Sequence, residues 1–359
     1  MIMNLIVMMM KKDNEEDKSN YTPNLKTKQD AINDAKERIN QERSGKQLGL
    51  RTGFPQLNIC VGKYFRFKTV NLIAGLSGHG KSALLNIILS DFLNEKLNGK
   101  FEEDVIIIHN SFEMLTADEV LRTASAKVEK SHLALLSSEW VNPTEEQRES
   151  GIKGHYNRIS DEDFDLISKA LESDISSNHY YYEEPTTISG IAKNIAHAIK
   201  YYQDNNPSKP IPKAVIAIDH TLLVEPEKNE QDLKTISNLA KFCVKLKKKG
   251  YMAFLIGQLN NNIELPERLK NSDLHYPMKS DIYAQGQIFN ACDTVSIIHQ
   301  PELLGISLYG KQRYDSRNLV HIHVIKQRFG KVGSIWLENH FYKGQLLKTV
   351  PQSNLPKSK

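Results

Sequence analysis

Apolar residues fall into short runs along most of this chain, separated by stretches in which they recur every three or four positions. Runs that are apolar or nearly so lie at 70–74, 105–108, 214–219, 252–256, 294–298 and 319–325. Such runs predict strands buried on both faces. Between them, Leu84, Leu85, Ile87, Ile88 and Phe92 predict an apolar helix over 82–94. Leu233, Ile236, Leu239, Cys243 and Leu246 give a second helical stripe. Strands of this kind alternating with helices predict an α/β fold, a mostly parallel central sheet flanked by helices.

The two ends read differently. Residues 1–24 carry charges, Asn, Ser and Pro23 with no period, and are expected to be disordered. The apolar start lacks a basic leader and is followed by Lys11 and Lys12, the reverse of a signal peptide. A helix is predicted over 28–42, capped by Thr27 with Asp30 as capping-box partner and ended by Ser44 and Gly45. Its stripe, Ile32, Ala35 and Ile39, is narrow, and so short a helix is marginal alone. It must dock on its own domain or on a neighbouring subunit. The expected division is 1–24 disordered, 25–48 helix-bearing linker, 49–350 one large α/β domain, and 351–359 a flexible polar tail.

Composition narrows the class without naming a function. With 359 residues, 40% hydrophobic and 25% charged, the chain can bury a large core unaided. No run approaches the ~18 apolar residues of a membrane span. A net charge of +4 permits nucleic-acid binding without establishing it. Cys60, Cys243 and Cys292 are far apart, which argues against a disulfide scaffold or cysteine zinc site and for a reducing cytoplasm.

Candidate chemistry sits at the ends of the expected strands. GLSGHGKS at 75–82 fits the phosphate-binding pattern GxxxxGK[ST], between a strand and a helix as that pattern requires. Here Gly75, Ser77, Gly78, His79, Gly80, Lys81, Ser82 and Ala83 would wrap a nucleotide's phosphates with backbone amides and the helix dipole. Lys81 would reach the β and γ phosphates of ATP, and Ser82 would bind Mg²⁺. Asp219 ends its strand and would support the metal through water. Glu113, in Ser111-Phe-Glu-Met114, could polarise an attacking water, and a capping role would use the same residue. Gln258, opening Gln-Leu-Asn260, could sense the γ-phosphate, or form an ordinary turn. Lys326 and Arg328 share a face at the end of the 319–325 strand and suit an anion, although a solvated basic hairpin would look alike. The lysines at 245 and 247–249 end a helix, where cations are favoured anyway. His79 is expected to be loop variation, His321 and His323 to serve core or surface, and Tyr180, Tyr181 and Tyr182 to form strand and core.

Taken in order, these motifs resemble the RecA-like motor domain of DnaB-type replicative helicases. The resemblance covers roughly 28–350, opening with GLRTGFPQLN at 49–58. Ser111-Phe-Glu-Met114 is similar to the family's Ser-Leu-Glu-Met, which makes Glu113 the implied catalytic base. Arg122 matches a family arginine. Gln258-Leu-Asn260 matches Gln-Leu-Asn. Lys326-Gln-Arg328 with Gly330 matches Lys-Gln-Arg-x-Gly, whose cations reach the neighbouring subunit's nucleotide. The 28–42 helix resembles the linker helix that docks on the adjacent motor. The resemblance implies ATP hydrolysis with Mg²⁺ in a homo-oligomeric, hexameric ring that moves 5′ to 3′ on single-stranded DNA, with a primase or loader as further partner.

Two departures stand out. The family's N-terminal collar domain is expected to be absent. The DNA-binding loop, SDIYAQGQIFNACD at 280–293, aligns without gaps to the family's SDLRESGSIEQDAD. Gly286 is kept, but Tyr283 and Ala284 replace an Arg and a Glu, leaving Lys279 as the candidate cation. The segment around 142–156 is also longer than the family's. These departures suit, as a second reading, a RecA-like ATPase that is not a helicase, such as a recombinase, a loader or a regulatory ring.

Overall fold

The computed structural model describes residues 25–173, 178–228, 230–283 and 285–351. The stretch 1–24 and nearly all of the tail, 352–359, lie outside the described residues.

Helix α1 (Lys28–Arg43) carries the expected capping box: Thr27 accepts from the Asp30 amide, and Asp30 accepts from Thr27 N–H. None of its residues is buried, and Ile39 is 57% exposed. Its last turn is tied down through Glu42, which accepts from Tyr64 and, at 3.3 Å, from Lys63.

The apolar runs become strands of one sheet. In chain order they are β1 (Thr69–Gly75), β2 (Val105–Ser111), β3 (His179–Tyr182), β4 (Lys213–Asp219), β5 (Met252–Gln258), β6 (Thr294–His299), β7 (Leu319–Gln327), β8 (Gly333–His340) and β9 (Gln345–Lys348). The spatial order is β9-β8-β7-β6-β1-β5-β4-β2-β3. Pairings from β6 across to β3 are parallel, while β7, β8 and β9 join antiparallel. The β7–β8 and β8–β9 pairs follow from their short connections, since a short turn can join only antiparallel strands.

Two-fold alternation within the strands feeds two cores. Val70, Leu72, Ala74, Ile106 and Ile108 face one side; Ile73 and Ile107 face the other. Helix α2 (Lys81–Leu93) covers the second face with Leu84, Leu85, Ile88, Leu89 and Phe92. Helices α3 (Thr116–Val128) and α4 (Asp161–Glu172) build a small satellite core through Ala124 and Ile167. Helix α5 (Ile188–Asn205) lays Ile191, Ile195 and Ile199 on the first face. Helix α6 (Asp232–Lys248) adds Leu239, Cys243 and Leu246, all fully buried. Each such leucine or isoleucine contributes ~1.5–3 kcal/mol relative to exposure. The side chain of Leu233 lies outside the described residues. Helix α7 (Gln285–Ala291) is short and leads into β6.

Two expectations need correcting. Strand β2 runs on to Ser111, so that residue ends the strand rather than following it. Tyr180, Tyr181 and Tyr182 form the edge strand and are only half-buried, because among the described residues no strand pairs beyond β3. Among the described residues, no helix is long and apolar enough to cross a membrane.

Candidate nucleotide and DNA-loop site

Strand β1 stops at Gly75 and α2 starts at Lys81, so residues 76–80 form the loop between them. Gly80 has φ +87°, and a Cβ there would fall 2.2 Å from the Phe341 ring. Only glycine fits that backbone and that approach. The loop and the N-terminus of α2 open on a cavity of about 490 Å³, lined by Ser77, Gly78, Gly80, Lys81, Ser82, Ala83, Glu113, Arg122 and Phe341 among others. Gly75 does not line it: at the strand end its Cβ position meets Ile298 and Lys81. His79 does not line it either. Its ring is buried, and Nδ1 accepts from the Gln300 amide at 3.0 Å. Burial, with Lys81 nearby, pushes His79 down to about 4, so it is a neutral strut under the loop.

Lys81 is buried, and its ammonium donates to Leu76 O at 2.9 Å. Burial lowers its pKa, opposed by the charges of Glu113 and Asp219. Asp219 is 1% exposed, and its Oδ1 has no hydrogen-bond partner among the described residues. Burial pushes its carboxyl up to about 6, against a stabilising contact from Ser82 and with Glu113 adding to the rise. A buried carboxylate oxygen without a donor, beside a serine hydroxyl, fits a hard divalent cation. Mg²⁺ keeps most of its waters and phosphate ligands, so two protein groups suffice. Among the described residues, no cluster of three or more acids, histidines or cysteines could hold a metal unaided. Glu113 is exposed and lines the same cavity.

Gln258 ends β5, two strands from β2 in the sheet. Its partner is a residue that sequence reasoning passed over. His220 Nδ1 accepts from the Leu222 amide, which leaves its proton on Nε2 to donate to Gln258 Oε1 at 3.1 Å. The Gln258 segment is also bonded to the candidate DNA loop. Tyr283 N–H donates to Gln258 O at 2.9 Å, Asn260 N–H to Asp281 O at 2.7 Å, and the Asn260 amide to Ser280 O at 2.8 Å. Arg268 pins the same loop, with NH1 on Asp281 at 2.6 Å in a buried pair.

Lys326 and Arg328 lie elsewhere. Gln327 pairs with Thr294, which pairs with Asn71, at the start of the parallel strands; the phosphate loop follows Gly75 at their other end. Four residues of strand separate the two levels by about 13 Å, at ~3.3 Å per residue. The structure therefore does not bring these cations to the chain's own phosphate cavity. The turn beyond them is set by a close approach: a Cβ on Gly330 would stand 2.0 Å from Cys60 O, so glycine is required there. Lys279 stands with its ammonium 4.7 Å from the centre of the Phe289 ring, and Gly286 is exposed near the start of α7. Ala284 lies outside the described residues.

Two further groups were not singled out from sequence. Glu119 is 1% exposed beneath the site, accepts from Ser111, and stands 3.3 Å from His109 Nδ1. Burial, with Asp219 adding, pushes it up to about 7, and burial pushes His109 down to about 3. The pair is therefore mostly neutral between about pH 3, where His109 loses its proton, and about pH 7, where Glu119 ionises. In the sequence, Glu119 looks like an ordinary acid in a helix's first turn. Phe341 follows the last long strand and gave no signal at all.

Comparison with protein families completes the picture. The model for the DnaB-like helicase C-terminal domain matches residues 49–345. The chain belongs to that family. Among solved structures, one described as an ATPase domain resembles it with a TM-score of 0.67 at 18% identity, covering 91% of this chain and all of that one. A second, described as a DnaB-like replicative helicase and its interactions with primase, gives a TM-score of 0.66 at 18% identity, covering 94% of this chain and 70% of that one. At that identity the likeness concerns the fold, and it agrees with the RecA-like architecture. No match was found among curated proteins. As a member of the DnaB-like family the chain is a nucleotide-using helicase-type domain.

Proposed function

We propose that the chain is the motor of an ATP-driven DNA helicase, hydrolysing ATP at interfaces between identical subunits and moving along single-stranded DNA in the cytoplasm. The observation that carries this reading is the separation of Lys326 and Arg328 from their own phosphate cavity. A cavity holding Lys81 as its inner cation, and a cation pair at the opposite end of the sheet, are the two halves of a site completed between subunits. The family resemblance adds a hexameric ring, 5′ to 3′ movement and an unspecified loader or primase. Residues 25–48 would dock on the neighbour, and 49–350 would form the motor.

The geometry and the family resemblance together support the following roles. Backbone amides of 77–80 and Lys81 would hold the β and γ phosphates. Ser82, with Asp219 behind it, would hold Mg²⁺, which supplies charge neutralisation across those phosphates. Glu113, exposed to the same cavity, would take a proton from the attacking water. Gln258, held by His220, would register the γ-phosphate and transmit its loss through hydrogen bonds to 280–283. Lys326 and Arg328 of the adjacent subunit would stabilise charge developing on the transferred phosphoryl group. Lys279 and the Gly286 backbone would meet DNA phosphates with little sequence preference.

One observation favours the second reading, an ATPase of this fold that does not unwind. Tyr283 stands where the family has a cation, and Lys279 already rests on Phe289. The test is ATP turnover with and without single-stranded DNA, together with strand displacement on a forked duplex. Stimulated turnover with displacement is expected; turnover that ignores DNA and displaces nothing would favour the second reading.

A further inference from the structure

The contacts of Lys326 and Arg328 within their own chain point beyond a simple reach into the neighbour. Lys326 Nζ donates to Phe289 O at 2.5 Å and Asn290 O at 3.4 Å, and lies 4.7 Å from the Phe289 ring centre. Arg328 donates from NH2 to Asn290 O at 3.0 Å and from NH1 to Asp293 Oδ1 at 2.9 Å. Both cations thus cap the C-terminal end of α7, where helix carbonyls are unpaired and carry partial negative charge. The same Phe289 ring carries Lys279 at 4.7 Å. Helix α7 is the direct continuation of the candidate DNA loop, whose other end is bonded to the Gln258 segment.

Asp293 is built to let go of one cation. It is fully buried; Oδ1 also accepts from Lys247 at 2.5 Å, and Oδ2 accepts from the Val70 amide at 2.9 Å. If Arg328 leaves, the carboxylate keeps a cation and a backbone donor, so the departure strands no buried charge, the usual reason such a pair cannot open. Arg328 is 46% exposed, so it can leave without unpacking the core.

We propose that Asp293 and Phe289 are positioning residues that form a resting dock for Lys326 and Arg328 at the end of the DNA-loop helix. The dock and the neighbour's phosphate compete for the same cations. Engagement of a nucleotide next door therefore removes two cations from α7 and alters the DNA loop of the subunit that supplies them. By reciprocity, DNA on that loop changes how readily the cations leave. The inference rests on the proposal that these cations act in trans.

The test is single-stranded DNA affinity of the full chain, measured with and without a non-hydrolysable ATP analogue. In the wild type the analogue should change affinity by about fivefold or more, the usual scale of coupling between sites. In Asp293→Asn and in Arg328→Ala the factor should fall towards one, and the double variant should fall no further than either. Phe289→Leu keeps an apolar side chain at α7 without the ring, and should lower the factor partway even if Asp293→Asn folds poorly. Analogue affinity itself should stay within twofold in Phe289→Leu, which a general loss of structure would not allow. If Phe289→Leu and a folded Asp293→Asn keep the wild-type factor while Arg328→Ala loses it, the dock is overturned and the shared site stands. If the wild type binds the analogue but no DNA, the helicase reading falls and the dock falls with it.

Discussion

Asp219 is a carboxyl whose burial holds it at about 6, and this sets a pH dependence with a definite sign. Below that value it keeps its proton and offers no anionic oxygen to Mg²⁺. Mg²⁺-dependent nucleotide binding should weaken as pH falls through 6, by up to ~10-fold per unit, and level off above 7. Asp219→Asn should bind weakly and without that slope; a flat wild-type profile would remove Asp219 from the metal site. Glu119 behaves differently because it faces the core. Its pKa is raised to about 7 from 4.5, so the folded state is penalised for ionising it. The penalty is absent below pH 4.5 and complete above about 7. Relative to wild type, Glu119→Gln should therefore gain stability across that window, on the order of 3 kcal/mol in total. Thermal melts at pH 5 and pH 8 would show it, and an unchanged difference would mean that Glu119 is ionised in the fold. Two substitutions in the cavity separate binding from chemistry. Lys81→Ala should abolish hydrolysis. Glu113→Gln should keep nucleotide binding while turnover falls ~10²-fold or more, and normal turnover would make Glu113 structural.

At the scale of elements, the candidate DNA loop lies inside the long connection between β5 and β6 and is held by other parts of that connection. It is tied to Gln258 and Asn260 at one end, to Arg268 in the middle and to α7 at the other. If Lys279 meets a phosphate, Lys279→Ala should reduce the slope of log affinity against log salt by about one. An unchanged slope and affinity would move DNA contact elsewhere, the 245–249 lysines being the alternative. The strands and the phosphate loop were legible in the sequence because both are local: unbroken apolar runs have few other solutions, and the glycine pattern needs only its flanking strand and helix. The half-burial of Tyr180 to Tyr182 was not legible, since an edge strand and a central one differ only in what pairs with them. The partnership of His220 with Gln258 spans two strands, and that of Arg328 with Asp293 joins a strand end to a helix end. Neither has a spacing rule. His79 fits the motif by position, yet its side chain serves the core, because the pattern constrains only the backbone there.

At the scale of the whole molecule, the sheet carries its phosphate cavity at one end and the Lys326 and Arg328 pair at the other. If the two make up one site, as proposed, that site must be completed between chains. Helix α1, with no buried residue, fits the same arrangement, since a second copy could cover its stripe. Arg328→Ala should lose ~10³-fold or more in turnover, the usual value of an arginine supplied to phosphoryl transfer. Glu113→Gln should be nearly inactive too, for a different reason. The most direct measurement mixes these two inactive variants under conditions where subunits exchange. A Glu113→Gln chain would lend its intact Arg328 to a neighbour whose Glu113 is intact, and ATP hydrolysis should return. No recovery despite demonstrated mixing, or full activity in a chain that stays strictly monomeric, would contradict the shared site.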